Sequence, residues 1–220
     1  MKFKLLEPYI PMFASGLAVT AQVTAASLLL AFALGALIAV GKVLPFRPLR
    51  AALDFYTSIF RGVPLIVLLF IAYFATPQLT GYKIGMFTAA VLTLGLNGSA
   101  TVSETLRGGI EGVDAGQYDA ARSVGLSYAK MMRLVVIPQA LRSVAPALVN
   151  EVITVLKSSS LVSTIGLMDM MYAAESAQAL TYRAFEPFIV IAAVYYVIVM
   201  ALVAVSRRRE RRLRQQTTGC

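Results

Sequence analysis

At 220 residues the chain is short, 58% hydrophobic and basic, with a formal net charge of +9. Soluble domains hold about 45–50% apolar residues, so this excess excludes an ordinary water-soluble core. The chain has no histidine and one cysteine, Cys220, which leaves no disulfide framework and no Cys- or His-based metal site to build on; no metal and no cofactor are expected.

The spacing of charges gives the architecture, because a bilayer-spanning helix needs about 20 consecutive apolar residues. Residues 8–41, 62–82, 84–103 and 187–206 contain no Asp, Glu, Lys or Arg. A fifth run, 143–168, is interrupted only by Glu151 and Lys157, which are costly at membrane depth and therefore informative. The pattern predicts an all-α integral membrane protein, one domain over 1–220, with five spans at about 12–41, 58–80, 84–106, 140–168 and 187–206. A cleaved signal peptide is the competing reading of the N-terminus, but the first apolar stretch far exceeds the usual h-region.

Span one carries Thr20, Thr24 and Ser27 on one helical face, a pattern that suits helix packing in lipid. Between spans one and two lie Lys42, Arg47, Arg50 and Arg61; span two opens at Arg61-Gly62-Val63-Pro64, where Arg61 is expected to snorkel to the cytoplasmic surface. Span three places Thr93, Asn97, Thr101 and Glu104 on one side, and span four adds Asn150, Glu151, Thr154, Lys157 and Ser158. Two polar stripes either line a shared wet interior or bond neighbouring helices to one another.

Arg107, Arg122, Lys130, Arg133 and Arg142 fall between spans three and four, and an arginine cluster, Arg207 to Arg214, follows span five; only Lys2, Lys4, Lys83 and Arg183 remain for the other side. The positive-inside rule then sets the N-terminus outside and the C-terminus in the cytoplasm, and reads the basic tail as a stop-transfer anchor, not a nucleic-acid site.

The cytoplasmic loop at about 111–138 holds two short helices. Asp114 caps the first, with Gln117 three residues on in a box-like arrangement, and Gly125 ends it in a left-handed conformation. Ser127 caps the second, whose Tyr128, Met131, Met132 and Val135 recur at helical spacing until Pro138 breaks the pattern.

Asp119-Ala120-Ala121, then three residues, Gly125, nine residues, Val135, one residue and Ile137-Pro138 resemble the EAA loop of binding-protein-dependent ABC importer permeases. Asp119 stands for the usual Glu and Ile137 for the usual Leu. The likeness extends over about 11–212, through Arg61 to Pro64, Leu96-Asn97, Pro138 to Arg142, Asn150-Glu151 and Tyr182 to Phe188, and is similar to the histidine, glutamine, arginine and opine group. The resemblance implies the type I (MetI-like) permease fold with five spans, a permease dimer, homo- or heteromeric, two cytoplasmic ATPase subunits and an extracytoplasmic solute-binding protein. It implies import of a polar amino acid or related solute across the bacterial inner membrane, with ATP hydrolysed by the separate subunit. Asp119, Ala120, Ala121, Gly125 and Pro138 are then the ATPase-coupling residues. Asn97, Thr101, Glu151, Lys157 and Ser158 are candidates for the solute path, with Ser158 standing where family members often carry Asp.

A membrane enzyme lacks the Ser-His and His-metal arrangements it needs. A phosphate loop at 35–43 fails, because the first glycine is misplaced and Val43 stands where Ser or Thr binds magnesium. An ion-coupled secondary carrier would use Glu104, Glu151 and Lys157, but no inverted repeat is evident.

Overall fold

The computed structural model describes residues 2–217, with side chains as far as residue 208; Cys220 and the side chains of the arginine cluster beyond Arg208 lie outside the described residues. Every regular element among the described residues is helical. A 3-10 turn, Phe3–Tyr9, runs into α1 (Ile10–Val43), followed by α2 (Arg47–Gly62) and α3 (Leu65–Phe70). A π-helical turn, Ile71–Ala75, joins α3 to α4 (Thr76–Thr80), and α5 (Met86–Glu111) follows. The loop helices are α6 (Ala115–Ser123) and α7 (Tyr128–Met131); a second π turn, Met132–Val136, leads into α8 (Ile137–Ser158). A 3-10 stretch, Ser159–Ile165, then α9 (Met170–Thr181) and α10 (Phe185–Thr217) complete the chain.

Among the described residues four helical stretches are long and apolar enough to cross a bilayer: Phe3–Val43, Met86–Glu111, Tyr128–Ile165 and Phe185–Arg208. A fifth crossing exists if the pair Arg47–Gly62 and Leu65–Thr80, bent by 104°, counts as one. The expected straight span at 58–80 is therefore two pieces. Pro64 explains the break: it has no N–H to continue the ladder and forces the residue before it, Val63, into extended geometry with ψ 134°.

Pro77 and Pro138 act differently. Each lies two residues beyond a π turn, and the residue before each proline donates its N–H five residues back, Thr76 to the Ile71 carbonyl and Ile137 to the Met132 carbonyl. The wider turn makes room for the ring. Pro138 was expected to end the second loop helix. Instead the helical path runs unbroken from Tyr128 to Ile165, so the loop and the fourth crossing are one continuous element.

The core is a seam between α1 and α5, which run in the same direction. Leu30 meets Gly95, Ala31 meets Gly98 and Gly35 meets Val102 and Ser99. A methyl at Gly95 would come within 2.6 Å of the Leu30 side chain; side chains that small let backbones close in lipid, where dispersion contacts replace the hydrophobic effect as the packing force. α8 runs antiparallel to α5, with Glu151 and Val155 at the level of Gly98 and Ala140 and Val144 at the level of Gly109. At the other end α1 crosses the start of α9, where Thr20 accepts the Met170 N–H at 3.1 Å. Thr20, Thr24 and Ser27 are all buried, in keeping with packing.

A methyl at Gly16 would lie 2.7 Å from the Asp169 carbonyl oxygen, which is backbone and cannot swing away. Gly16→Ala is expected to destabilise the bundle by about 1–3 kcal/mol, read as a lower unfolding midpoint of the detergent-purified protein. Gly108→Ala, where nothing stands within 4 Å, should cost nothing.

Candidate functional site

Two groups of residues carry chemistry: the loop at the end of α5 and a polar belt halfway along the bundle. Asp114 caps α6, its Oδ1 accepting the Gly116 N–H at 2.8 Å. The reciprocal half of the expected capping box is absent, because Gln117 Oε1 accepts instead from Gln139 Nε2 at 3.0 Å, tying α6 to α8. Gly125, at φ +75°, closes α6. Its N–H reaches the Arg122 carbonyl at 2.9 Å and the Leu126 N–H reaches Ala121 at 3.1 Å, the paired bonds of a Schellman ending. Ser127 precedes α7 without a side-chain cap bond.

Beneath α6 lies a small apolar core of Ala121, Met131 and Val136, surrounded by Ile110, Val113, Leu126 and their neighbours. Tyr118 joins it and donates to the Ile110 carbonyl at 2.9 Å; burial pushes its phenol up, with Tyr128 and Glu111 adding to the rise. The two alanines of the motif thus face opposite ways. Ala121 is 4% exposed and packs inward, whereas Asp119 and Ala120 are exposed. Asp119 has only a loose ion pair, 3.9 Å to Arg122, between side chains 77% and 67% exposed, worth little in water. Pro138 is half-buried at the start of α8. The loop therefore presents an outward face on a base rigidly attached to both α5 and α8.

In the belt, Asn97 is the twelfth of the 26 residues of α5. It donates to the Phe60 carbonyl at 2.5 Å, capping the broken end of α2, while Tyr56 bonds the Leu96 carbonyl at 3.0 Å. Glu151 is 8% exposed, and its Oε1 stands 3.4 Å from where a methyl on Gly98 would be. Thr101 lies one turn along α5, half-buried; Lys157 is exposed and Ser158 half-buried at the far end of α8. Asn97, Thr101 and Glu151 share about one turn of height, and Lys157 and Ser158 sit about 9 Å further along. No hydrogen bond or ion pair joins any two of the five among the described residues.

Sequence reasoning missed an ion cluster. Lys42, counted as a loop charge, is fully buried: its Nζ donates to Thr57 Oγ1 at 2.7 Å, pairs with Asp54 at 2.8 Å and bonds Glu104. Arg107 completes the set at 2.7 Å from Glu104 and 2.8 Å from Glu111. Glu104 is thereby occupied, not free for ion coupling. The available signal was Lys42 and Glu104 each ending an apolar run. Arg61 is neighbour to Phe60, hence level with Asn97 and about 10 Å along α5 from Glu104.

A model of the family described as binding-protein-dependent transport system inner membrane component matches residues 31–215. The chain belongs to this family. It is 43% identical over 214 residues to the arginine transport system permease protein ArtQ of Bacillus subtilis (strain 168), covering 97% of this chain and 98% of that one. It is 39% identical over 188 residues to the putative glutamine transport system permease protein GlnP of Rickettsia bellii (strain RML369-C), with 86% of each covered. Among solved structures it superposes on a chain of an amino acid ABC transporter crystallised with histidines, with TM-score 0.91, 40% identity and 96% and 99% coverage of the two chains. The inward-facing MetNI methionine ABC transporter shares the fold, at TM-score 0.75, 21% identity and 92% and 98% coverage. The protein is a multi-pass membrane permease subunit of an ABC importer with the MetI-like fold.

Lys42→Met leaves Glu104 and Asp54 without their buried cation. Losing one member of a buried pair costs about 3–5 kcal/mol; Asp54 is 52% exposed, so water recovers part and the low end is expected. Lys42→Met/Glu104→Gln should regain much of the loss, measured by thermal unfolding and by yield of folded protein.

Proposed function

We propose that this permease imports a polar amino acid or a related solute such as an opine, powered by a separate cytoplasmic ATPase dimer that grips the outward face of α6. The single observation that carries the coupling role is the division of labour in the loop: Ala121 sealed against Met131 and Val136, Asp119 and Ala120 turned out. A helix fixed on its back and open on its front suits docking, and its firm join to α5 and α8 suits transmission of a rigid-body movement. The loop lies in the cytoplasm, with the N-terminus outside and the C-terminus inside, as its arginines and lysines favour.

The solute class rests on the belt together with the names borne by the relatives, which are arginine, glutamine and amino acid systems. Glu151 is a nearly buried carboxylate without an ion-pair partner among the described residues, at the height of the Asn97 amide. A buried group of that kind is costly unless it serves a passing charge. It suits an ammonium group, and the permease works paired with a second copy or a sister subunit, receiving solute from an extracytoplasmic solute-binding protein.

In proteoliposomes holding permease, ATPase and binding protein, uptake of labelled amino acids should require ATP and the ATPase subunit; gradient-driven uptake by the permease alone would overturn the importer reading. Asp119→Lys should cut transport-coupled ATP hydrolysis severely while leaving the bundle's stability unchanged. Glu151→Gln should lower uptake about tenfold or more, the scale of a lost charged hydrogen bond; unaltered uptake would leave Glu151 a packing residue.

A further inference from the structure

Beside the base of the loop lies an apolar groove of about 200 Å³, walled by Val40 and Val43 of α1, Ile110 of α5, Tyr128 of α7, Met132, Ile137 and the α1–α2 turn. Val43 is the last residue of α1 and Ile110 the next to last of α5, so the groove sits where the two helices leave the hydrocarbon. One turn deeper, Leu37 of α1 and Leu141 of α8 continue its walls as exposed apolar side chains. The cations around it are unpaired. Arg47 follows Pro45 of the turn by two residues, Lys130 stands between Tyr128 and Met132 in the chain, and Arg133 lies one turn before Ile137; all three are exposed, and none has a carboxylate or hydrogen-bond partner among the described residues. The carboxylate beside Ile110, Glu111, is held by Arg107 at 2.8 Å, so the rim of the groove is positive.

We propose that this groove holds an acyl chain of an anionic phospholipid, whose headgroup phosphate is taken by Arg47 and Arg133. An apolar slot at the edge of the bilayer suits a hydrocarbon tail, and basic side chains at the ends of membrane-spanning helices draw anionic headgroups. The guanidinium fork matches a phosphate by paired, charge-assisted bonds. Tyr128, with its ring against the groove and more than half exposed, has the amphipathic character of side chains that settle at headgroup level. A second copy of this chain suits the groove less well, because a two-fold contact through one patch sets Arg47, Lys130 and Arg133 against their own equivalents. Ile110 and Met132 wall the groove and also border the loop core of Ala121, Met131 and Val136. A lipid seated there therefore steadies the base on which α6 stands.

The assembled importer is placed in phosphatidylcholine nanodiscs doped with phosphatidylglycerol that carries a diazirine in its acyl chain, irradiated, and mapped by mass spectrometry. Crosslinks should fall within residues 37–45 and 128–141, and unlabelled phosphatidylglycerol should compete them away where added phosphatidylcholine does not. Arg47→Gln and Arg133→Gln, both at exposed positions, should each lower this labelling about fivefold. Ile137→Trp, which fills the groove, should abolish it while crosslinks elsewhere on the chain persist and report a folded bundle. Labelling confined to other helix faces, or equal labelling of the groove by a phosphatidylcholine probe, overturns the proposal. So does a quantitative disulfide between two permease chains carrying Val40→Cys in a Cys220→Ser background, which removes the chain's only native cysteine, because protein and not lipid would then cover the groove.

Discussion

The close approach of α1 to α5 is the constraint on which everything else is set. In hydrocarbon the two helices gain little from hiding apolar surface from each other, so they must gain from contact, and contact needs small residues where the backbones meet. Gly35 and Gly95 supply it. Because the seam fixes the two helices in register, the buried Lys42 of α1 reaches Glu104 of α5 and draws Thr57 and Asp54 of α2 to the same point. That cluster anchors α2 along α5, and α2 then delivers its broken end to Asn97. The belt at mid-height is thus a consequence of packing and charge pairing at two places remote from it.

The same register joins the belt to the loop. Ile110, next to last in α5, packs under α6, and the π turn that leads into α8 contributes Val136 to the loop core. Gln139 of α8 bonds Gln117 of α6. A displacement of α6 therefore has no slack segment in which to be absorbed before it reaches Gln139 of α8, and Glu151 stands twelve residues beyond Gln139. The π turn ahead of Pro138 is what makes this continuity possible, since a proline in an ordinary α-helical turn would have broken or kinked it.

Much of this was legible from the sequence, for identifiable reasons. Apolar run length is a direct reading of bilayer thickness, so the helices that cross were visible. Asp114 and Gly125 could be read because a cap and a left-handed ending depend on neighbouring residues alone. What was not legible depends on distant partners. Lys42 looked like a loop charge because only the folded register brings Thr57 and Glu104 to it. Gln117 was assigned to its own helix start although Gln139, far along the chain, claims it. Pro64 read as a proline at a helix start and Pro138 as the end of a helix, yet the first breaks a helical path and the second is accommodated in one, a choice made by whether the chain widens into a π turn beforehand.

The central claim is that the face of α6 bearing Ala120 is the contact between permease and motor. Ala120→Cys in a Cys220→Ser chain, challenged with a membrane-impermeant thiol reagent in vesicles of both orientations, tests it directly. The account predicts labelling from the cytoplasmic side alone, and protection once the ATPase subunits are bound. Labelling from the extracytoplasmic side, or equal labelling with and without the ATPase, would contradict it.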